Sequence, residues 1–360
     1  MKILAPVNSP EEAKLLLKQG ALEFYCGLNP EVCLSSREQG IWLNRREPGK
    51  ANLKGLEELK ELVYVAHEGG AKVFLALNQP GYAAEVQKTM LELLQRLQES
   101  CRVDAYIVAD PGLIMLLRGA FPDISIHVSS LAAVLNSAAV AFFKRLGVKR
   151  IIFPRYVPLE IMRTIIENSE KWAEEKSLLL EGEPLEYEAF IFNDGCVFEE
   201  GYCFVSHGFG GAFCHNPPWR YKPVKVNDDG KAGEGKGWLD SLKGGKLKAG
   251  KESFSDHLEE YKRWLWIGIK NFGGMTGTKG YPLGMCGLCA LAQLKAMGVS
   301  SLKIVGREAP LKKKVESVKL VKEVLAYLEE GHSEEEVIEF AKYLRGAKGL
   351  CESGNMCYYR

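Results

Sequence analysis

The sequence predicts an α/β fold, a TIM-like (β/α)8 barrel with a long insertion after strand 7 and a helical C-terminal tail. One observation behind this prediction is that eight short apolar segments precede residue 309, each with a helical pattern before or after it. A second is that these segments are continuous apolar runs, as expected of parallel strands that are covered on both faces. Eight β/α units favour a closed barrel. An open doubly wound sheet is the alternative, although no Gly-x-Gly-x-x-Gly follows the first strand.

The elements alternate from the first residues onward. Residues 2–7 form an apolar run, and Ser9-Pro10-Glu11-Glu12 then predicts a helix N-cap with proline and acids in the first turn. That helix ends at Gly20. The next strands are predicted at residues 22–28, 72–78, 105–110, 125–130, 150–155, 185–192 and 301–306. Helices are predicted between them at residues 55–68, 84–99, 111–119, 136–146, 158–174 and 287–297.

The same pattern divides the chain into four segments. Residues 1–206 carry the first seven β/α units, 207–284 form a Cys- and Gly/Lys-rich insertion, 285–308 hold the last barrel unit and 309–360 form a helical C-terminal extension. The insertion is too long for an ordinary connection, and such segments are usually functional insertions or lids. A helix is predicted inside it at residues 253–271. The Lys/Glu runs of the extension are expected to be solvated helix faces.

Composition and charge exclude some classes of protein. The 47 basic and 46 acidic residues leave a net charge of +1, which gives no overall attraction to nucleic acid or to an anionic membrane. The N-terminal apolar run is too short for a signal peptide. The most apolar later stretch, residues 131–143, is shorter than the roughly 18 residues of a membrane span. We therefore expect a cytoplasmic protein with no membrane association, whose ten cysteines include metal ligands, catalytic thiols or buried apolar side chains.

Five cysteines lie in Gly-rich segments outside the strands. In a barrel the loops after the strands share one face, where distant thiolates can converge on a soft metal. Four thiolates suit zinc or an iron–sulfur cluster, and the spacing does not distinguish the two. Unconnected free cysteines are the alternative. The five are Cys196 and Cys203 after the seventh strand, Cys214, and the Cys-x-x-Cys pair Cys286 and Cys289 at a predicted helix start.

Two more cysteines, Cys351 and Cys357, lie near the C-terminus in GLCESGNMCYYR. We expect them to be free thiols. A second metal site there would need partners that the sequence does not identify.

A stretch around the seventh strand resembles a known family. Glu188-x-Phe190 followed by Cys196-x6-Cys203-x-Val205-Ser206 is similar to the signature of the peptidase U32 family, long described as collagenase-like. APVNSPEEAKLLLKQGALEFYCGL resembles the opening of that family, HVSSLAAVLNSAAVAFFKRLGVKRIIFPR its middle strand–helix–strand, and LAQLKAMGVSSLKIVGRE the segment that ends in Lys-Ile-Glu-Gly-Arg. The resemblance covers most of residues 1–308 in the same order.

The resemblance implies a cofactor and a reaction. In the better understood relatives, four cysteines hold a [4Fe–4S] cluster in an eight-fold barrel. Those relatives take part in oxygen-independent hydroxylation of tRNA, of ribosomal RNA or of a ubiquinone precursor, with prephenate implicated as hydroxyl donor. Carried over to this sequence, the ligands are Cys196, Cys203, Cys214 and Cys286, with Cys289 as an alternative fourth ligand and zinc as an alternative metal.

The sequence departs from the family pattern at several strand ends. Asn193-Asp194-Gly195 replaces the signature's Gly-Ser/Ala-aliphatic, and Tyr156 stands where the family usually has glutamate. Leu131 and Ala133 replace a usual Gln and Asn, and Val305 replaces a glutamate. These departures indicate a divergent branch whose substrate can differ from the known ones.

Polar residues at the ends of strands are candidates for the active site. Arg155 and Arg307 could clamp a dicarboxylate such as prephenate, because guanidinium groups match carboxylates bidentately. Either could instead form an ion pair with a neighbouring acid. Glu188 could be a general acid or base or the partner of Arg155, and His127 could be catalytic or a satisfied barrel-core histidine. The predicted catalytic set is Glu188, Arg155 and His127, and the predicted substrate-binding set is Asn78, Asp110 and Arg307.

Three functions remain open at this point. The leading hypothesis is an oxygen-independent hydroxylase or other modifying enzyme that acts on RNA or an aromatic metabolite. A peptidase, as the older family label says, is the second, although no Gly-x-Ser-x-Gly or His-Glu-x-x-His is present. The third is a non-catalytic, cluster-carrying subunit of a heteromeric hydroxylase. The expected partners are a small-molecule or RNA substrate and, in a hetero- or homo-dimer, another U32-type barrel.

Overall fold

The computed structural model describes residues 1–29, 43–46, 51–82, 84–175, 184–195, 276–354 and 356–359. The predicted helix at 253–271 and most of the insertion lie outside these residues. The predicted ligands Cys196, Cys203 and Cys214 also lie outside them.

Eight parallel strands close into a barrel. Each strand pairs with its neighbour in the order β1-β2-β3-β4-β5-β6-β7-β9, and β9 pairs back with β1. The short β8 runs antiparallel to the end of β7, with Cys286 opposite Phe192. The closed barrel confirms the predicted fold, and the open doubly wound sheet is wrong. The strands are β1 (Lys2–Pro6), β2 (Glu23–Cys26), β3 (Lys72–Leu77), β4 (Ala105–Val108), β5 (Ile126–Val128), β6 (Arg150–Ile152), β7 (Glu186–Asn193), β8 (Met285–Cys286) and β9 (Val299–Ile304).

Helices cover the outside of the barrel close to the predicted positions. The first begins where the sequence predicts, because the Ser9 hydroxyl accepts a hydrogen bond from the Glu12 amide at 3.3 Å and Pro10 occupies the first turn. The described helices are α1 (Pro10–Lys18), α2 (Leu56–Glu68), α3 (Ala84–Ser100), α4 (Pro111–Ala120), α5 (Ser137–Arg145), α6 (Leu159–Glu175), α7 (Leu291–Ala296), α8 (Leu311–Glu329), α9 (Glu334–Arg345) and α10 (Lys348–Ser353). None of them is long and apolar enough to cross a membrane.

One local prediction is wrong around the Cys-x-x-Cys motif. Cys286 lies in strand β8 rather than at a helix start, and Cys289 lies in a 3-10 turn, Leu288–Ala290, that precedes α7. The backbone of Cys286 pairs with β7 on one side and with the C-terminal segment on the other. These two pairings favour a strand over the first turn of a helix.

The apolar core has two parts. The larger part lies between the strands and the helices, and a smaller lumen cluster fills the barrel. The C-terminal helices belong to the outer part, since α8 packs against β1 and β7. Lys314 on α8 is fully buried and forms a 2.7 Å ion pair with Glu12, so the expectation that the charges of the tail are all solvated is wrong at this position. The lumen cluster comprises Leu4, Tyr25, Phe74, Ala105, Ile107, Ile152, Phe190, Val305 and Tyr358.

Candidate active site at the barrel mouth

A buried network of charges fills the amino-terminal half of the barrel. Arg150, the first residue of β6, donates to Glu23 at 2.8 and 2.9 Å, to Glu186 at 2.5 and 2.9 Å and to Glu188 at 3.1 Å. Lys303 on β9 donates to the other oxygen of Glu188 at 2.7 Å. Burial opposes the charge of Arg150, but the hydrogen bond and charge of Glu23, with the charges of Glu188 and Glu186, outweigh it and raise its pKa. This end of such a barrel serves stability rather than catalysis.

Glu188 belongs to this network. Its side chain is fully buried, and its two oxygens accept from Arg150 and Lys303. The interpretation of Glu188 as the partner of Arg155 is therefore wrong, because Arg150 and Lys303 occupy its oxygens. The predicted catalytic role for Glu188 would require a substrate to displace one of two charge-assisted hydrogen bonds.

His127 on β5 lies opposite Arg150 in the register of β5 and β6, level with the charged network. Its ring packs edge-on against Phe74, with centroids 4.5 Å apart. Burial, followed by the positive charges of Arg150 and Lys303, holds the pKa of His127 well below its usual value. Within the described part of the chain, its Nδ1 has no hydrogen-bond partner. The imidazole is thus neutral at physiological pH, and its strand register places it with the charged network.

Arg307 follows β9 and is buried at the carboxyl mouth of the barrel. Its guanidinium donates to Asn44 Oδ1 at 2.9 Å and to Asn52 Oδ1 at 3.4 Å. Gly27 makes room for this arrangement, since a Cβ there would lie 2.1 Å from Arg307 Nη1 and 2.0 Å from Asn52 Oδ1. Burial, and then the charge of Arg46, lower the pKa of Arg307 to about 10, so it remains a cation at neutral pH. Its described hydrogen-bond acceptors are neutral amides, which leaves its charge available for an anion.

Arg155 follows β6 and approaches the same mouth. Its Nε donates to the main-chain carbonyl of Asp194 at 3.1 Å, and its guanidinium lies 3.9 Å above the centre of the Phe190 ring. The hydroxyl of Tyr358 donates to the same carbonyl at 2.9 Å. Asp194 is partly exposed, and desolvation of its carboxyl raises its pKa against the opposing charges of Arg46, Lys313 and Arg155.

The charges of both arginines act on Tyr25. It ends β2 in the lumen cluster, and burial raises the pKa of its hydroxyl. The charges that act on it are, in decreasing order, those of Arg307, Asp194, Arg46 and Arg155. The mouth therefore combines an aromatic floor with a cationic rim, which suits an anionic ring compound or a nucleotide.

Asn78 and Asp110 differ in how free they are to bind a substrate. Asn78 follows β3, donates to Ser129 Oγ at 3.4 Å and keeps a buried Oδ1 without a hydrogen-bond partner among the described residues. Asp110 is the N-cap of α4, because its carboxylate accepts from the amides of Gly112 at 2.8 Å and Tyr82 at 3.0 Å. Asn78 thus has an open acceptor, whereas both oxygens of Asp110 bind the main chain.

The sequence prediction missed several residues of the mouth. Asn44 and Asn52 lie in a segment without helix or strand periodicity, so no pattern pointed to them. Asp194 was noted only as a departure from the family signature. Tyr358 lies 54 residues after Ile304, the end of β9, and reaches the lumen only because the C-terminal segment folds back.

Four cysteines line a separate cavity outside the barrel, which we call the C-terminal cavity. Its volume is about 40 Å³. Burial raises the pKa of Cys286, and it raises the pKa of Cys289 to about 12. In their present positions, no three Cys, His, Asp or Glu side chains of the described residues are grouped as a metal site. The cavity is lined by Cys286, Gly287, Cys289, Ala290, Ala341, Lys342, Arg345, Cys351, Cys357 and Tyr359.

Comparison with known proteins identifies the family. The sequence profile of peptidase family U32 matches residues 8–358, which is nearly the whole chain. The chain belongs to peptidase family U32. This confirms the family resemblance seen in the sequence.

Named relatives of this U32 chain differ in what they are said to do. It is 30% identical over 206 residues to tRNA hydroxylation protein P of Haemophilus influenzae, covering 57% of this chain and 38% of that protein. It is 30% identical over 208 residues to an uncharacterized protease of Methanocaldococcus jannaschii, covering 57% and 44%. It is 28% identical over 211 residues to a 23S rRNA 5-hydroxycytidine synthase of Escherichia coli, covering 59% and 27%. The matched part of the chain thus spans less than half of each relative.

Among solved structures, a U32 peptidase superposes on this chain with a TM-score of 0.38 and 17% identity. That superposition covers 53% of this chain and 68% of the other. A score this low carries no argument about the site.

Proposed function

We propose that this U32 chain is a modifying enzyme that hydroxylates an RNA base or an aromatic metabolite at the carboxyl mouth of its barrel, without molecular oxygen. The observation that carries the proposal is Arg307, a buried cation with neutral amide partners that follows β9, where Arg155 follows β6 at the same end of the barrel. Relatives named as tRNA hydroxylation and rRNA hydroxycytidine proteins support the reaction class. Active sites of such barrels lie at this end.

The two arginines would bind the acidic co-substrate. A dicarboxylate such as prephenate offers each guanidinium one carboxylate, and bidentate pairing would fix its orientation. The rings of Tyr25 and Phe190 form the apolar floor beneath it. Asn78 Oδ1 is the open acceptor for a hydroxyl or an amine of the second substrate.

A [4Fe–4S] cluster is part of the proposal on the strength of the family resemblance, with zinc as the alternative. Cys196, Cys203 and Cys214 would hold it, and the fourth ligand would be Cys286, or Cys289 in its place. A bound cluster would supply one-electron redox chemistry. Only the last two cysteines belong to the described residues, and both line the C-terminal cavity. Thiolates suit a soft metal, and Cys286 lies opposite Phe192 at the carboxyl end of β7.

The first test is metal analysis of protein purified without oxygen, beside the Cys196→Ala variant. About four irons with matching sulfide per chain, and their loss in the variant, would support the cluster. Zinc alone, without colour, would contradict the redox part of the proposal. Turnover with prephenate and with unmodified RNA then tests the reaction.

The second test concerns the arginines. Arg307→Lys keeps the charge but loses the bidentate fork, so we expect prephenate binding to weaken by about tenfold or more. Arg163→Lys is the matched control, because Arg163 is exposed on α6. Equal affinity in wild type and Arg307→Lys would exclude Arg307 from the binding site.

The M. jannaschii relative keeps the peptidase alternative open. Thiol-dependent proteolysis that is lost in a Cys196→Ala, Cys203→Ala double variant would favour it over hydroxylation. A non-catalytic subunit is distinguished by assembly, since it would copurify with a second U32-type barrel and show no turnover alone.

A further inference from the structure

A third arginine, Arg46, belongs to the carboxyl mouth of the barrel. Its main-chain amide donates to Asn44 Oδ1 at 3.0 Å, and the guanidinium of Arg307 donates to the same oxygen at 2.9 Å. Among the charges that act on Arg307, that of Arg46 is the largest. The charge of Arg46 also acts on Tyr25 and Asp194. Arg46 therefore lies within electrostatic range of Arg307 and of the groups around it.

The main chain next to Arg46 is held firmly. Leu43 and Asn44 are each 1% exposed. The carbonyl of Asn44 accepts from Gln79 Nε2 at 3.0 Å, and the carbonyl of Leu43 accepts from the hydroxyl of Tyr82 at 2.8 Å. Because both donors come from the segment that follows β3, these contacts fix the point from which the side chain of Arg46 extends.

The side chain of Arg46 forms an ion pair with Glu308 at the rim of the mouth. Arg46 Nη1 lies 3.3 Å from Glu308 Oε1, and Glu308 follows Arg307 directly in the chain. The Arg46 side chain is 21% exposed and that of Glu308 is 40% exposed. Ion pairs that water reaches in this way contribute little to stability. An incoming carboxylate can therefore replace Glu308, whose own carboxylate would return to water.

The described acceptors of Arg307 carry no charge. They are the amide oxygens of Asn44 and Asn52, and Arg307 is 6% exposed. Burial, followed by the charge of Arg46, lowers the pKa of Arg307 to about 10, which shows that the two cations repel each other. A buried cation beside a second cation favours a bound anion. Glu308 supplies negative charge to Arg46 from the rim, whereas within the described residues no carboxylate pairs with Arg307.

We propose that Arg46 and Arg307 together bind one carboxylate of the acidic co-substrate, and that Glu308 occupies Arg46 until that carboxylate replaces it. The inference rests on the proposed function and refines it, since the second carboxylate stays with Arg155. Two charge-assisted pairs hold one carboxylate more tightly than a single pair does. Arg46 would thus determine the affinity for the co-substrate, and Glu308 would act as a competitor that belongs to the protein.

The experiment is isothermal titration calorimetry of the full chain with prephenate. The variants are Arg46→Gln, Glu308→Gln and the two combined. Lys319→Gln and Glu316→Gln are the matched controls, because these residues form a partly exposed ion pair at 2.8 Å on α8.

We expect Arg46→Gln to weaken prephenate binding by about tenfold, because a charge-assisted pair is lost. Glu308→Gln should strengthen binding by up to about fivefold, because the competing carboxylate is removed. The combined variant should bind like Arg46→Gln, since Glu308 competes only through Arg46. The two controls on α8 should bind within about twofold of wild type.

Unchanged or weaker binding in Glu308→Gln would make the ion pair a structural contact and overturn the inference. Wild-type affinity in Arg46→Gln, or no prephenate binding by the wild type, would also overturn it. Turnover judges the proposed function separately. Hydroxylation by Arg46→Gln with the wild-type KM for prephenate contradicts the inference alone, whereas prephenate binding through Arg46 without any turnover contradicts the proposed function alone.

A measurement on the unmodified chain covers the case in which a variant fails to fold. The native protein is treated with phenylglyoxal with and without prephenate, and the modified arginines are mapped by mass spectrometry. We expect prephenate to protect Arg46, while Arg163, which is exposed on α6, reacts equally in both samples. Equal modification of Arg46 with and without prephenate contradicts the inference.

Discussion

The predicted role of Glu188 can be decided by one isosteric substitution, Glu188→Gln. Its carboxylate is fully buried and accepts from Arg150 at 3.1 Å and Lys303 at 2.7 Å. In the variant, an amide NH2 would face one of these two donors and the charge between them would be gone. Breaking a buried ion pair from one side costs about 3–5 kcal/mol. Because glutamine keeps one acceptor, we expect a loss near the lower end, about 3 kcal/mol, in the free energy of unfolding.

The assay is urea unfolding followed by circular dichroism, with Glu186→Gln as the matched control. Glu186 pairs with the same arginine, but its side chain is 32% exposed, so we expect a loss of about 1 kcal/mol or less. Equal losses in the two variants would refute the argument from burial. A Glu188→Gln protein with wild-type stability and no turnover would show instead that Glu188 is catalytic.

Three further predictions follow from the same structure. Gly27→Ala should weaken prephenate binding, because the added Cβ would displace Arg307. Gly81→Ala is the control and should bind like wild type, because a Cβ there meets nothing within 4 Å. Isothermal titration calorimetry measures the two affinities. The pKa of His127 in the folded chain lies below its ordinary 6.5, so the unfolded chain takes up a proton first as the pH falls. The free energy of unfolding should therefore decrease below pH 6.5, by at most about 1.4 kcal/mol per pH unit. This part of the pH dependence should vanish in His127→Leu, and an unchanged profile would contradict it. Asn193→Ala should lower the free energy of unfolding by about 1–3 kcal/mol, because Asn193 has a φ of 84° and donates to Ser317 Oγ at 2.9 Å. The measurement is urea unfolding, with Asn136→Ala as the control, because Asn136 is the exposed N-cap of α5. A loss no larger than that of Asn136→Ala would contradict this prediction.

Local patterns in the chain were sufficient for the barrel. The eight strands and the helices between them follow from apolar runs, N-caps and proline positions, all of which act within a few residues. Ser9 and Pro10 fix the start of α1 in this way. The sequence also predicted that the inner face of the strands is apolar, because continuous apolar strands imply that both faces of the sheet are covered. Family membership followed from the cysteine signature and the order of matching segments.

The hydrogen-bond partners of the predicted site residues could not be predicted from such local patterns. Arg155 and Arg307 were expected at strand ends, but only the closed barrel shows that Arg307 binds the amides of Asn44 and Asn52 and that Arg155 binds the Asp194 carbonyl. Glu188 was a candidate as a polar residue at the end of a strand, but it is the third residue of β7. Its actual partners lie 38 and 115 residues away in the chain.

The C-terminal cavity shows the same division. That Cys286 and Cys289 form a Cys-x-x-Cys pair is a property of neighbouring residues, and the sequence alone states it. That Cys357 lies beside Cys286 depends on α8, α9 and α10 returning the chain to β8. Periodicity and capping are local, whereas the meeting of two segments about 70 residues apart is decided by how the helices pack on the barrel as a whole.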